Sequence, residues 1–243
     1  HSSTVGVTNF LPSFMGTHLE KEIKALEGVL NNPNKPVAAI IGGSKVSTKI
    51  DVINFLLKKM DIIIIGGAMA NTFVAAKGLD VGKSLFENEC IDLAKELIEK
   101  SQNNNCNLIL PTDFIVSKNL KKNAEYTTAN FDSLPHNMMA LDIGPKSIEL
   151  INKNINNCKT ILWNGPLGAF ETYPFDKGTN KVASHVSSLT KQKKILSVAG
   201  GGDTVSALNN AKVLNDFSYV STAGGAFLEW LEGKVLPGIE PIS

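Results

Sequence analysis

Seven short apolar runs limit what this chain can fold into: VAAIIGG (37–43), IIIIGG (62–67), NLILPTDFIV (107–116), MMALDIG (138–144), TILWNGP (160–166), KILSVAGG (194–201) and YVSTAGG (219–225). They are continuous, not alternating. A strand that is apolar at nearly every position must be covered on both faces, which is the situation of a parallel sheet clad with helices. Helical spacing fills the gaps between the runs. Leu19, Ile23, Leu26 and Leu30 make one stripe. Val52, Phe55, Leu56 and Met60 make a second, and Ile91, Leu93, Ala94, Leu97 and Ile98 a third. Alternation of strand and helix predicts an α/β fold: a doubly wound, Rossmann-like, mostly parallel sheet of about six strands with helices on both faces.

No internal repeat, low-complexity linker or composition break divides the chain. LNNPNKP (30–36) reads as a turn-rich joint after the first helix. Residues 1–16 are too short to be a domain. The chain opens on His1, shows no signal-peptide pattern, and its start reads as a cut. The formal net charge of +1 argues against a nucleic-acid or membrane-surface protein. No run approaches the roughly 20 apolar residues of a membrane span. Cys90, Cys106 and Cys158 are scattered and odd in number, which suits reduced thiols in a cytoplasm. His18, His136 and His185 stand alone, and KQKK (191–194) reads as a solvated helix end. All 24 basic residues are Lys. Any phosphate handled here is therefore met by ammonium groups and backbone amides, without the bidentate fork of Arg.

Five runs stop on a glycine corner from which a helix sets out: GGSK (42–45), GGAM (66–69), NGPLG (164–168), GGGDT (200–204) and AGGA (223–226). In an open parallel sheet, ligands bind beyond the carboxyl ends of the strands. Glycine lets a ligand approach the backbone, and a helix N-terminus carries about half a positive charge. Five corners converging on one edge predict a phosphate or nucleotide site. The P-loop pattern GxxxxGK[ST] is absent, and GLDVGKS (78–84) is one residue short and reads as a loop. The dinucleotide fingerprint GxGxxG is absent from every strand end, which weakens a dehydrogenase reading.

Lys45 and Lys49 are four apart, which predicts a shared face in the first turns of a helix. Cations there oppose the helix dipole, so the pair is either solvated or a clamp on phosphates. Asp203 is an acid inside an anion corner. It is either a helix N-cap or a ligand of Mg²⁺, which takes one or two carboxylates together with nucleotide phosphate oxygens. The two roles can coexist.

Together GGSKVSTKI, GGAMANTF, LDIGPKS, ILWNGPLGAFE, AGGGDT and STAGGAFLEWLEGKVLPG resemble phosphoglycerate kinase, in that order, over essentially the whole chain. The resemblance covers only the family's C-terminal half. HSSTVGV resembles the end of a family HRAHxS segment, and the Arg- and His-rich half that binds 3-phosphoglycerate does not appear. The resemblance implies four parts: 1–16, a remnant of the end of the N-terminal domain; 17–30, an interdomain helix; 31–236, a nucleotide-binding domain; and 237–243, a tail returning to the other half.

It also implies roles. Lys45 would stabilise the phosphoryl group in flight, with Gly202, Gly224 and Gly225 facing it. Gly42, Gly43, Gly66, Gly67 and Leu141 would line the adenine and ribose site. Lys49 and Asn164 would meet the phosphate chain, Glu171 the ribose hydroxyls, and Gly165 would belong to the nucleotide site. Gly201, Gly202, Asp203 and Thr204 would hold phosphates and Mg²⁺, with Asp203 on the metal. ADP or ATP and 1,3-bisphosphoglycerate or 3-phosphoglycerate are the implied ligands of a cytoplasmic glycolytic kinase, monomeric at full length. This half would be weakly active or inactive alone; the competing expectation is a non-catalytic nucleotide-binding module. Two departures stand out. Ala223 replaces the first glycine of the family's STGGGA, and Thr48 stands where many relatives carry an acid, which would leave the metal more dependent on Asp203.

Overall fold

The structure, a computed structural model, describes residues 1–242 of the 243. Six strands form one sheet: β1 (Val37–Ile41), β2 (Ile62–Ile65), β3 (Asn107–Ile109), β7 (Thr160–Asn164), β8 (Leu196–Ala199) and β9 (Tyr219–Val220). Their order is β3-β2-β1-β7-β8-β9, and every neighbouring pair is parallel. The chain winds outward from β1 to β3, then restarts beside β1 at β7 and winds the other way. The switch point lies between β1 and β7, where the crevice of a doubly wound sheet opens.

The continuous apolar runs serve two layers at once. All five residues of β1 are buried. Val37, Ala39 and Ile41 point into one core with Leu26, Leu56 and Phe73; Ala38 and Ile40 point into the other with Trp163, Val182 and Val186. Alternation of side chains across the strand explains why no polar residue interrupts it. The first layer is built by α1 (Thr17–Leu30), α2 (Ile50–Leu56), α3 (Met69–Ala76), α4 (Ile91–Asn103) and α8 (Gly225–Leu231). The second is built by α5 (Pro145–Ile155), α6 (Lys177–Lys191) and α7 (Gly202–Asn210).

Two runs differ from the sequence expectation. NLILPTDFIV is not one strand. It breaks at Pro111 and Thr112 into β3 and β4 (Asp113–Ser117), and β4 leaves the main sheet. Proline cannot donate to a ladder, and the N–H groups of Thr112 and Asp113 turn to Ser147 Oγ at 2.9 and 3.0 Å. MMALDIG gives β6 (Met139–Ile143), which pairs antiparallel with β4 instead of joining the parallel sheet. The third member, β5 (Thr127–Asn130), is largely exposed and had no apolar signal. A separate cluster of Val74, Val81, Phe114, Val116 and Leu134 fills the space under this small sheet.

The three cysteines are buried and free. GLDVGKS is a loop, as its spacing indicates. His136 pairs with Asp80 at the surface, and His185 meets Asn156 Oδ1 at 2.9 Å. Residues 1–16 hold a single short 3-10 turn, Gly6–Asn9. Ser243, the last residue of the expected tail, lies outside the described residues. No helix among the described residues is long and apolar enough to cross a membrane.

Candidate active site

Because the six strands are parallel, their carboxyl ends lie on one edge, and all five glycine corners stand there. At the switch point β1 and β7 are joined tip to tip: Gly42 N–H donates to the Asn164 carbonyl at 2.9 Å. A Cβ on Gly42 would lie 1.9 Å from the Pro166 carbonyl oxygen, and one on Gly165 would lie 2.1 Å from the Gly42 oxygen. Gly66 is packed as tightly on Leu167. Glycine at these three positions is required by neighbouring chain, whatever a ligand requires. At Gly43, Gly202, Gly224 and Gly225 the opposite holds, with no atom within 4 Å of an added Cβ. These are the corners open to a ligand. Gly67 and Gly201 take positive φ, 69° and 97°, and a Cβ on Gly201 would meet Asn164 Nδ2 at 2.6 Å.

Asn164 is the hub beneath the corners. It is buried, its Oδ1 accepts a hydrogen bond from Lys49 Nζ, and its Nδ2 donates to the Gly200 carbonyl at 2.7 Å. Thr204 is buried too, and its Oγ1 accepts the Gly165 N–H at 2.7 Å. Both side chains are thus engaged in holding β7, β8 and α7 together, one step behind the open edge. Lys49 is half-buried. Burial pushes its ammonium below the ordinary lysine value, and the carboxylates of Asp203 and Glu232 oppose that shift. Lys45 is exposed.

The two lysines do not share a helix turn. α2 begins only at Ile50, with Lys49 in its N-cap position. The segment from Ser44 to Thr48 is an irregular turn closed by Lys49 N to Val46 O (2.8 Å) and Thr48 Oγ1 to Lys45 O (3.0 Å). Side-chain spacing suggested helix, but Ser44, Ser47 and Thr48 are exposed and only Val46 of that stretch is buried in the core, too little apolar surface to hold a helical turn. Asp203 is also not a cap. The N-cap of α7 is Gly201, and Asp203 lies within the first helical turn. Its carboxylate is exposed and accepts no hydrogen bond from the described residues. The N–H of Ala223 already donates to Ser221 Oγ at 3.2 Å.

Beside the corners a groove of about 370 Å³ separates the two sheets. Gly43, Gly67 and Pro166 contribute from the main sheet, Met139 and Leu141 from β6, and Glu171 and Asp203 complete it. The Ala169 N–H donates to the Leu141 carbonyl at 2.8 Å and holds the two sides together. Leu120 and Phe170 also line the groove; neither was singled out as a site residue in the sequence. A larger depression, about 670 Å³, lies at the amino-terminal edge among Lys35, Lys159, Lys193 and Lys194. It has none of the glycine corners, and Lys35 is already paired with Asp61 at 3.1 Å.

The comparisons with known proteins agree with this fold. The family model for phosphoglycerate kinase matches residues 1–234. The phosphoglycerate kinase of Rhizobium meliloti (strain 1021) is 51% identical over 240 residues, covering 99% of this chain and 60% of that protein. That of Brucella melitensis biotype 1 is 53% identical, with 61% of its length covered. The structure of phosphoglycerate kinase from Coxiella burnetii superposes with a TM-score of 0.94 at 44% identity, over 99% of this chain and 62% of that one. The crystal structure of the Pyrococcus horikoshii enzyme gives 0.82 at 27% identity. The chain therefore spans about 60% of the length of these relatives. With the family model matched over residues 1–234 and relatives 51–53% identical over 240 residues, the chain belongs to the phosphoglycerate kinase family.

Proposed function

We propose that this chain supplies the nucleotide-binding half of a glycolytic phosphoglycerate kinase, which moves a phosphoryl group between 1,3-bisphosphoglycerate and MgADP to give 3-phosphoglycerate and ATP. The observation that carries the reading is the pairing of an apolar groove with open glycine corners on one sheet edge, flanked by Lys49 and Asp203. The base would lie against Leu141 with Gly43 and Gly67 beneath it, and Glu171, which lines the same groove, would meet the ribose. The phosphates would run toward Gly202 and Lys49. Gly224 and Gly225 would face the transferred group.

Such a transfer asks little covalent chemistry of a protein. It asks for in-line positioning and cancellation of charge on the equatorial oxygens. Lys45 is assigned to the group in flight, and the exposed amides at Gly202, Gly224 and Gly225 to the surrounding oxygens. The donor set fits a nucleotide-borne Mg²⁺. Asp203 offers a free carboxylate, and no group of three or more metal-ligating side chains exists among the described residues, so phosphate oxygens would complete the coordination. Bound Mg²⁺ would neutralise charge between the phosphates. The acid substrate would be held by the part of the relatives' length that this chain does not span. Turnover by this chain alone should be slight, since preorganisation is worth roughly 7–11 kcal/mol in such reactions.

Calorimetric titration of the chain with MgADP, and separately with 3-phosphoglycerate, tests this. Binding of MgADP without 3-phosphoglycerate is expected. No heat with MgADP under conditions where the chain is folded by circular dichroism would refute the nucleotide role.

A further inference from the structure

We propose that Glu87 is a positioning residue that sets the place of Lys45, a role no motif in the sequence assigns. The inference rests on the reading of Lys45 given above. The turn from Ser44 to Thr48 has two short internal hydrogen bonds and one side chain in the core, Val46, which leaves its outer half with Lys45 and Ser47 exposed, and α2 behind it has no side-chain cap. Glu87 grips the middle of that turn with both oxygens. Ser47 N–H donates to Oε2 at 3.0 Å and Ser47 Oγ to Oε1 at 2.5 Å. Lys45 is two residues away, and its charge acts on the same carboxylate.

Glu87 is itself fixed from the far side. Its N–H donates to Thr72 Oγ1 at 3.1 Å, and Asn71 Nδ2 donates to the Leu85 carbonyl at 3.0 Å. Thr72 and Asn71 are each 1% exposed, on α3. A buried helix thus holds the 85–87 loop, the loop holds Ser47, and Ser47 holds the segment that presents Lys45. Burial pushes the Glu87 carboxyl up. The Ser47 hydroxyl, the N–H groups of Ser47 and Val46 and the Lys45 charge outweigh it and hold the group below the usual carboxylate range. The acceptor is therefore ionised near neutral pH, when its hydrogen bonds are strongest.

A lysine that acts only when correctly placed loses its value when its turn is released; misplacement by about 1 Å can cost on the order of a hundredfold in rate. The test is a double-mutant cycle of E87A and K45A in the complete enzyme carrying this chain, reading kcat and the KM for ADP. E87A alone should lower kcat by about tenfold or more with the KM for ADP held within about threefold. E87Q, which keeps one acceptor oxygen, should restore part of that loss. In the K45A background, E87A should change kcat hardly at all. Equal losses in both backgrounds, or an unchanged kcat in folded E87A, overturn the role of Glu87. If K45A alone leaves kcat intact, the assignment of Lys45 falls and takes this one with it, which is a distinct result. Should E87A not fold, S47A removes one of the two bonds at an exposed residue and carries the same cycle.

Discussion

At the residue scale, the site is made by what glycine leaves out, and it leaves out two different things. Gly42 has no room for a Cβ because Pro166 backbone stands there; Gly202 has room that the protein does not fill. Replacing each by alanine should separate them. G42A forces a methyl group into main chain and should cost about 1–3 kcal/mol or more. G202A should change stability by no more than about 0.5 kcal/mol yet weaken MgADP, because the new methyl group would stand where the proposed site puts a phosphate. Urea midpoints with MgADP titrations check both, and equal stability losses would show that the crowding at Gly42 is relieved by local movement. The letters GG are identical in the sequence at both corners, so this division was not legible there. Lys45, Lys49 and Asp203 were legible as charges beside glycines. Glu87 was not, because its partner Ser47 is forty residues away and neither belongs to a motif.

At the element scale, the sequence pattern announced the parallel sheet because each of its strands is apolar at nearly every position. The small antiparallel sheet was hidden for physical reasons. Its β5 is exposed and carries no periodicity, and its β4 shares one apolar run with β3. What separates them is a set of hydrogen bonds centred on Asp113 and Ser147. Asp113 is fully buried and accepts the N–H of Ser147 at 2.7 Å and of Lys146 at 3.0 Å, which caps α5 from a neighbouring strand. Ser147 Oγ in return accepts from Thr112 and Asp113 N–H while donating to Asp113 Oδ1 at 2.7 Å. S147A would leave both N–H groups without their acceptor, that of Asp113 on a fully buried residue. The expected cost is about 1–3 kcal/mol for each stranded group, with faster hydrogen exchange along β4. A urea midpoint within error of the parent chain would mean that water replaces the hydroxyl, and the bend at Pro111 would then need another explanation.

At the scale of the whole molecule, the groove exists because two sheets are held at a fixed separation, and a buried carboxyl sits at their seam. Asp142 of β6 is 2% exposed and accepts the Gly178 N–H at 2.6 Å and the Ile143 N–H at 2.9 Å. Gly168 and Gly178 press against it; a Cβ on either would come within 2.4 Å of Oδ1. It thereby ties the small sheet to the start of α6 and to the strap that follows Pro166, one residue from Leu141 in the groove. Burial raises its titration well above the ordinary value for aspartate, against the two backbone N–H groups that favour the charged form. Unfolded aspartate titrates near 3.9. Above that pH the native chain holds more protons than the unfolded one, so this group makes stability fall as pH rises, until Asp142 ionises in the native state. His185 acts in the opposite sense. Burial lowers its value, so the native chain holds fewer protons and gains stability as pH rises toward the ordinary histidine range. The two slopes partly cancel in the parent protein, and only a difference resolves Asp142. D142N keeps an oxygen for Gly178 and cannot ionise, while leaving His185 in place. Its stability relative to the parent should therefore climb steadily with pH above about 4, whatever its absolute level. Unfolding free energies of both proteins from pH 4.5 to 8 would show this, and parallel profiles would mean that Asp142 is already ionised in the folded chain, held by its two backbone donors against the cost of burial.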